Sequence, residues 1–204
     1  MIKVKICGIT NTDDALAAAQ AGADALGFLF YEKSSRHITP HRAKEIINKL
    51  PKGVLKAGVF VNAKEKEIRW AAEFCGFDFL QFHGDETPEF CDSFKDRKVV
   101  KALRIKRKRD ARQALRYNTY GVLFDTYTRA KYGGTGEQFD WGLVRDFPRE
   151  GRVIFLSGGL TAANVQEAIA VVQPDWVDVS SSVEAARGIK DAAKVAAFIS
   201  AAKS

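Results

Sequence analysis

Residues 153–184 read VIFLSGGLTAANVQEAIAVVQPDWVDVSSSVE. The run VIFLS (153–157) is short, apolar and bounded by glycines, which reads as a buried strand. Beyond Gly158 and Gly159 the apolar residues recur at helical spacing across 162–172. The segment QPD then breaks the pattern, and WVDVS (176–180) reads as a second strand. Two strands joined through a helix lie parallel in one sheet and cross over with a right hand.

The same alternation extends over the rest of the chain. Further strand candidates are IKVKI, ADALGFLF, LKAGVFV, FDFLQF, VVKALRI and GVLFD. Helices are predicted over 13–21, 40–50, 64–75, 88–94, 109–117, 141–147, 162–172 and 191–202. Thr39 before Pro40 and Thr87 before Pro88 read as N-caps followed by proline at the first helical position. Glu86 and Glu89 suit the positive end of the helix that follows Thr87. Gly22 and Gly76 read as helix ends. Eight strands alternating with eight helices predict an α/β fold, the (β/α)8 TIM barrel with a parallel closed sheet. With 204 residues, each unit has only about 25, so this is a barrel of minimal length, since about 250 is usual. An open doubly wound sheet is the alternative. It would carry a glycine fingerprint after its first strand, where this chain has KICGIT instead of GxGxxG. The expectation is a single barrel domain over 1–204.

Composition sets further bounds. Hydrophobic residues make up 46% and charged residues 28%, which excludes a disordered or fibrous chain. No stretch approaches the roughly 18 apolar residues of a membrane span. The start MIKVKICGIT lacks a secretory h-region. Cys7, Cys75 and Cys91 are too few and scattered for a disulfide framework, so the chain is expected in the cytoplasm. The net charge of +7 is local: residues 95–116 hold 11 Lys/Arg against Asp96 and Asp110, and the remainder holds 21 basic against 23 acidic residues. That segment reads as a solvated loop and helix face. A nucleic-acid patch and an electrostatic collector of anionic substrate are the other readings. Aromatic and basic residues do not interleave there, so no stacking platform for single strands is suggested.

In a barrel, chemistry collects where strands end and loops toward helices begin. Those ends carry Cys7, Arg36, His83, Asp125, the pair Gly158 and Gly159, and the pair Ser180 and Ser181. LSGGLTAANV and DVSSSVE in adjacent units suit a phosphate, through close backbone approach and a helix N-terminus; a tight turn with a serine cap is the plainer reading. YGGTGEQFDW (132–141) is a lid or a merely flexible connection, and not a P-loop. Cys7 is either a small buried hydrophobe or, with its pKa lowered, a base or nucleophile. Cys75 and Cys91 read as packing. Asp125 ends an apolar strand, where it is a loop or cap residue or a desolvated general acid. His37, His41 and His83 form no metal set.

Taken in order, KICGIT, SSRHI, GVFV, QFHGDE, Asp125, GGTG, LSGGL and DVSSSVE resemble the phosphoribosylanthranilate isomerase family over residues 5–184. The resemblance implies a cofactor-free, metal-free barrel enzyme. Its substrate would be N-(5-phosphoribosyl)anthranilate, rearranged to 1-(2-carboxyphenylamino)-1-deoxyribulose 5-phosphate. It makes Cys7 the general base, Asp125 the general acid and Arg36 the holder of the anthranilate carboxylate, with His83 and Asp178 also on the substrate. It puts Gly134, Gly158, Gly159, Ser180 and Ser181 around the phosphate. The implied partner is a small phosphorylated molecule, with no nucleic acid or membrane, for a monomer or homodimer. Ser35 stands where the family usually has proline, which loosens the backbone before Arg36. Ser182 stands where it usually has glycine, which adds a Cβ beside the phosphate. A metal-dependent sugar-phosphate epimerase would need His and Asp ligands absent here. A histidine-pathway isomerase would need paired aspartates where Cys7 stands. A non-catalytic phosphate binder and a nucleic-acid protein using 95–116 are the readings from other classes.

Overall fold

The computed structural model describes residues 1–127 and 139–204. The expected Gly134 and most of the GGTG loop lie outside the described residues. Eight parallel strands close into a barrel in sequence order: β1 (Lys3–Cys7), β2 (Ala25–Leu29), β3 (Leu55–Phe60), β4 (Phe79–Phe82), β5 (Val99–Ile105), β6 (Gly121–Thr126), β7 (Val153–Leu156) and β8 (Trp176–Val179). Closure is made by β1 against β8, with Val4 opposite Val177 and Lys5 opposite Asp178.

Side chains alternate across each strand, so every second residue faces the barrel axis. The inward set at the N-terminal end is apolar: Ala25, Ala57, Phe79, Val100, Ala102, Leu123, Phe155 and Trp176 pack as one cluster. Phe155 stacks on Trp176 at 5.2 Å between ring centroids. The outward set, with Val4, Ile6, Leu26, Phe28, Phe82 and Phe124, forms a second core beneath the helices. The barrel interior is therefore filled by apolar side chains at this end.

The helices are α1 (Thr12–Gln20), α2 (Pro40–Ile47), α3 (Glu65–Cys75), α4 (Pro88–Asp92), α5 (Lys108–Arg112), α6 (Val165–Val172) and α7 (Ala192–Lys203). The two threonine caps form as expected, with Thr39 Oγ1 accepting from Arg42 N and Thr87 Oγ1 from Phe90 N. Gly76 closes α3 at φ +73°. No described helix is long and apolar enough to cross a membrane.

Three helix expectations need correction. The segment 141–147 forms only a 3-10 turn at Trp141–Leu143. Gly142 and the αR-averse position before Pro148 leave too short a run to nucleate a helix. Its apolar residues still pack, with Phe147 edge-on to Phe124 at 5.1 Å. Residues 109–117 divide into α5 and a 3-10 turn at Gln113–Arg116; like charges such as Lys108 and Arg112 sit four apart there and repel. Finally, α6 starts at Val165 and not at 162. Asn164 turns back on the preceding loop, accepting from Thr161 N at 2.7 Å and donating to Gly159 O at 3.0 Å.

One element was not expected. After β8 the chain forms an antiparallel pair, β9 (Glu184–Ala186) and β10 (Ile189–Lys190), turning at Gly188. Thr10 Oγ1 donates to Gly188 O at 2.6 Å, which ties the pair over the loop after β1. The basic segment 95–116 is distributed over both sides of β5 and the turns after it. Lys101 is buried, Lys98 lies over the Tyr120 ring and Arg104 pairs with Asp85, while Arg104, Lys106, Arg107 and Arg109 line one pocket together with Asp85 and Asp110.

Candidate active site

Along four strands the inward positions switch from apolar to polar near the C-terminal end. In β1 they are Lys5 and Cys7; at β4, Gln81 and then His83; in β6, Leu123 then Asp125; at β8, Trp176, Asp178 and Ser180. The mouth is thereby lined with chemistry above an apolar floor, and Cys7, His83, Asp125, Asp178 and Ser180 come together on it.

Lys5 and Asp178 form a fully enclosed ion pair, with Nζ 3.0 Å from Oδ1 and 2.9 Å from Oδ2. Cys7 lies beside them, on the same face of β1 as Lys5. Gly27, opposite Cys7 on β2, makes the room. A Cβ there would lie 2.8 Å from Cys7 Sγ and 3.0 Å from Lys5 Nζ. Burial pushes the Cys7 thiol up; Lys5 and Lys190 oppose this, and Asp178 adds to it. The lowered pKa on which the base reading of Cys7 depends is therefore not found; the thiol is raised. Burial likewise raises the Asp178 carboxyl, against the pull of Lys5 and His83. For Lys5 burial works against the charge, but Asp178 and Cys7 outweigh it and the ammonium titrates above its usual value.

Asp125 is buried at the end of β6. Its Oδ1 accepts from Thr126 N at 2.8 Å and its Oδ2 lies 3.0 Å from His83 Nε2. Gln81 Nε2 lies 3.0 Å from His83 Nδ1. If the amide nitrogen donates there, the ring proton sits on Nε2 and faces Asp125. Gln81 Oε1 has no partner among the described residues. Turning the amide would present that oxygen to Nδ1 instead, so Gln81 can serve either tautomer of the ring. Gly158, at φ +87°, packs against this corner. A Cβ there would lie 2.5 Å from Thr126 N and 2.8 Å from Asp125 Oδ1.

Arg36 reaches the mouth from the loop after β2 and lies over Gly8. Glu184 grips it, with Nε to Oε1 at 2.7 Å and Nη2 to Oε2 at 2.8 Å. These bonds hold the guanidinium above its usual pKa against the cost of burial. The expected open fork is thus half used, and a ligand carboxylate would meet the Nη1 edge. The backbone before Arg36 is not loose at Ser35, since Arg36 N donates to Ser34 Oγ at 3.1 Å.

The remaining rim comes from β7 and β8. Gly158 and Gly159 both take positive φ. Ser180 Oγ donates to Cys7 O at 3.0 Å, and Ser181 begins a 3-10 turn, Ser181–Val183. Ser182 Oγ donates to Leu160 O, so this residue joins the two loops. Because α6 begins at Val165, and Asn164 N and Val165 N both donate to Thr161 O, the amides nearest Gly158 and Gly159 belong to the loop and not to the helix. Among the described residues no group of three or more His, Cys, Asp or Glu could hold a metal ion.

The family model for N-(5'-phosphoribosyl)anthranilate isomerase matches residues 4–201. The chain belongs to this family. An N-(5'-phosphoribosyl)anthranilate isomerase of Pseudomonas syringae pv. tomato is 51% identical over 202 residues, covering 98% of this chain and 97% of that one. The crystal structure of phosphoribosyl anthranilate isomerase from Thermotoga maritima superposes with a TM-score of 0.94 at 45% identity, covering 100% of this chain and 99% of that one. A phosphoribosyl anthranilate isomerase in complex with reduced 1-(o-carboxyphenylamino)-1-deoxyribulose 5-phosphate superposes with a TM-score of 0.90 at 42% identity, again covering 100% and 99%.

Sequence reasoning missed several charged residues that this family member buries beneath its mouth. Lys5 was legible in principle, since a residue two before Cys7 on a strand shares its face. Lys190 donates to Ser180 O at 3.0 Å and to Glu184 Oε1 at 3.1 Å, on an element that was not foreseen. Lys101 donates to Phe82 O, Gly84 O and Glu86 Oε2 and so braces the loop that carries His83. Cys75 and Cys91 are buried packing residues as expected, with burial pushing their thiols up to about 11 and about 12.

Proposed function

We propose that this chain catalyses the Amadori rearrangement of N-(5-phosphoribosyl)anthranilate to 1-(2-carboxyphenylamino)-1-deoxyribulose 5-phosphate in tryptophan biosynthesis. The observation that carries this reading is the surroundings of Asp178. Lys5 and Cys7 flank it on one side, His83 and Asp125 on the other, within one barrel mouth. A thiol and a carboxyl group thus share one space, as acid–base chemistry on a single sugar requires.

In this reading Asp125, in its acid form, protonates the furanose ring oxygen. The C1–O bond breaks and an iminium forms between C1 and the anthranilate nitrogen. The carboxylate left behind is stabilised by the Thr126 amide and by His83. Cys7, as thiolate, then takes the proton from C2. The C–H electron pair moves into the iminium and gives an enolamine, which tautomerises to the ketone. Each group contributes about 10²–10⁴ in rate. Arg36 holds the anthranilate carboxylate through Nη1. Gly134, Gly158, Gly159, Ser180 and Ser181 hold the phosphate, and His83 and Asp178 contact the sugar between them. Proton transfers alone balance this reaction, so the reading calls for no cofactor or metal. Every group named comes from one chain, so the reading fits a monomer or a homodimer acting in the cytoplasm on a small phosphorylated molecule, with no nucleic acid or membrane involved.

The test is growth. Expression of the wild-type chain restores growth without tryptophan to a strain lacking this isomerase step, and expression of Cys7→Ala does not. Failure of the wild type, expressed and folded, contradicts the assignment.

A further inference from the structure

We propose that Lys5 is a positioning residue for this reaction: its enclosed ammonium group, bonded to Asp178, lies beside Cys7 over Gly27 and supplies the positive charge that a Cys7 thiolate requires. The proposal rests on the reading of Cys7 as the base.

Lys5 has no exposure to solvent. A buried ammonium is costly unless its charge is met, and Asp178 meets it through two bonds. An ordinary structural ion pair would need nothing more. The ammonium has three N–H donors, however, and two suffice for Asp178. That leaves one for the neighbouring space, where the Cys7 sulfur lies. Gly27 points the same way: even one Cβ on that strand would fall within 3.0 Å of both Sγ and Nζ, so a residue without a side chain is what lets them meet over β2.

The other charges around Cys7 do not take this place. On β8, Asp178 is negative and opposes a thiolate. On β10, Lys190 is bonded to Glu184 and Ser180. In the loop after β2, Arg36 is bonded to Glu184 through two of its nitrogens. On β2 itself there is only Gly27. Lys5, on β1, is the cation beside the sulfur on its own strand face, and it favours the charged form against the burial that resists it.

The arrangement also works through the chemical step. As the thiolate takes the C2 proton, the C2–H bond breaks, an S–H bond forms and the negative charge leaves the sulfur. Lys5 then bonds fully to Asp178, which is already in contact. The local charge is answered at both stages by groups already in place.

The experiment reads the thiolate directly. The rate of Cys7 carbamidomethylation by iodoacetamide is followed by peptide mass spectrometry between about pH 6 and pH 11, for the wild type, Lys5→Met and Lys5→Arg. The expected midpoint in Lys5→Met is at least about one unit higher, so the rate on the neutral side falls about tenfold. Lys5→Arg, which keeps the charge, recovers most of that loss. Lys5→Met alone leaves Asp178 buried and unpaired. If it does not fold, Lys5→Met/Asp178→Asn is compared with Asp178→Asn, which isolates the same charge without stranding a partner, and the same upward shift is expected. An unchanged midpoint in the pair that folds overturns the proposal. The readout involves no turnover, so failure of the wild type to act on phosphoribosylanthranilate would fail the functional reading by itself.

Discussion

Glu184 holds Arg36 edge-on, with both carboxylate oxygens bonded to the Nε and Nη2 side of the guanidinium. Lys190 supports the same carboxylate from β10 at 3.1 Å. The β9–β10 pair therefore fixes the direction in which Arg36 offers its remaining edge. Removing a charge-assisted hydrogen bond costs about 1.5–3 kcal/mol, so Arg36→Ala is expected to raise KM about tenfold or more with a smaller effect on kcat. Glu184→Gln, which leaves Arg36 present but poorly aimed, should raise KM by less. Steady-state kinetics check both; an unchanged KM in Arg36→Ala removes its assigned role.

The same carboxylate links stability to pH. Burial alone would raise the Glu184 pKa, but Arg36 and Lys190 bring it below its usual value of 4.5. A depressed pKa in the fold contributes stability that is present above the usual value and lost as pH falls through the folded one. Melting temperatures of the wild type and Glu184→Gln should therefore differ at about pH 6 and converge as the pH falls below 4.5 and through the folded pKa. A difference that stays constant over this range would show that the ion pair is not the source.

Gly158→Ala should damage both stability and turnover. At φ +87° a side chain is strained, and the new Cβ would press on Thr126 N and on Asp125 Oδ1. A loss of more than about 1 kcal/mol in unfolding free energy is expected, with a fall in kcat from displacement of Asp125. Denaturant unfolding and kinetics measure each. A variant as stable and active as the wild type would show that the two strand ends are not tightly packed.

Native Cys75 and Cys91 should resist iodoacetamide at neutral pH, since burial holds their thiols near 11 and 12. Peptide mass spectrometry of the folded protein reads this, and rapid labelling of either would contradict the packing described.

The eight strands were legible because each is a compact apolar run between turn residues, and the sheet is buried on both faces. The N-caps of α2 and α4 were legible because a threonine before proline is a local signal. The segment 141–147 misled because its apolar residues pack without being helical: Trp141, Val144 and Phe147 meet the barrel from a turn. In the site, Cys7, Asp125, His83 and Asp178 could be read from strand ends and from the family resemblance. The Arg36–Glu184 pair could not, because its partners stand 148 residues apart and meet only once the barrel closes and β9 folds back over β1. The direction of the Cys7 shift was also hidden, because enclosure of the thiol depends on what packs around it.

The central claim is that Cys7 and Asp125 act as base and acid on one sugar. Its most direct test is the loss of phosphoribosylanthranilate fluorescence under purified wild type, Cys7→Ala and Asp125→Asn at equal concentrations, with melting temperatures measured alongside. The account predicts rapid loss with the wild type and a rate at least about 100-fold lower with each variant, at nearly unchanged melting temperature. Wild-type rates from a folded Cys7→Ala or Asp125→Asn would contradict it.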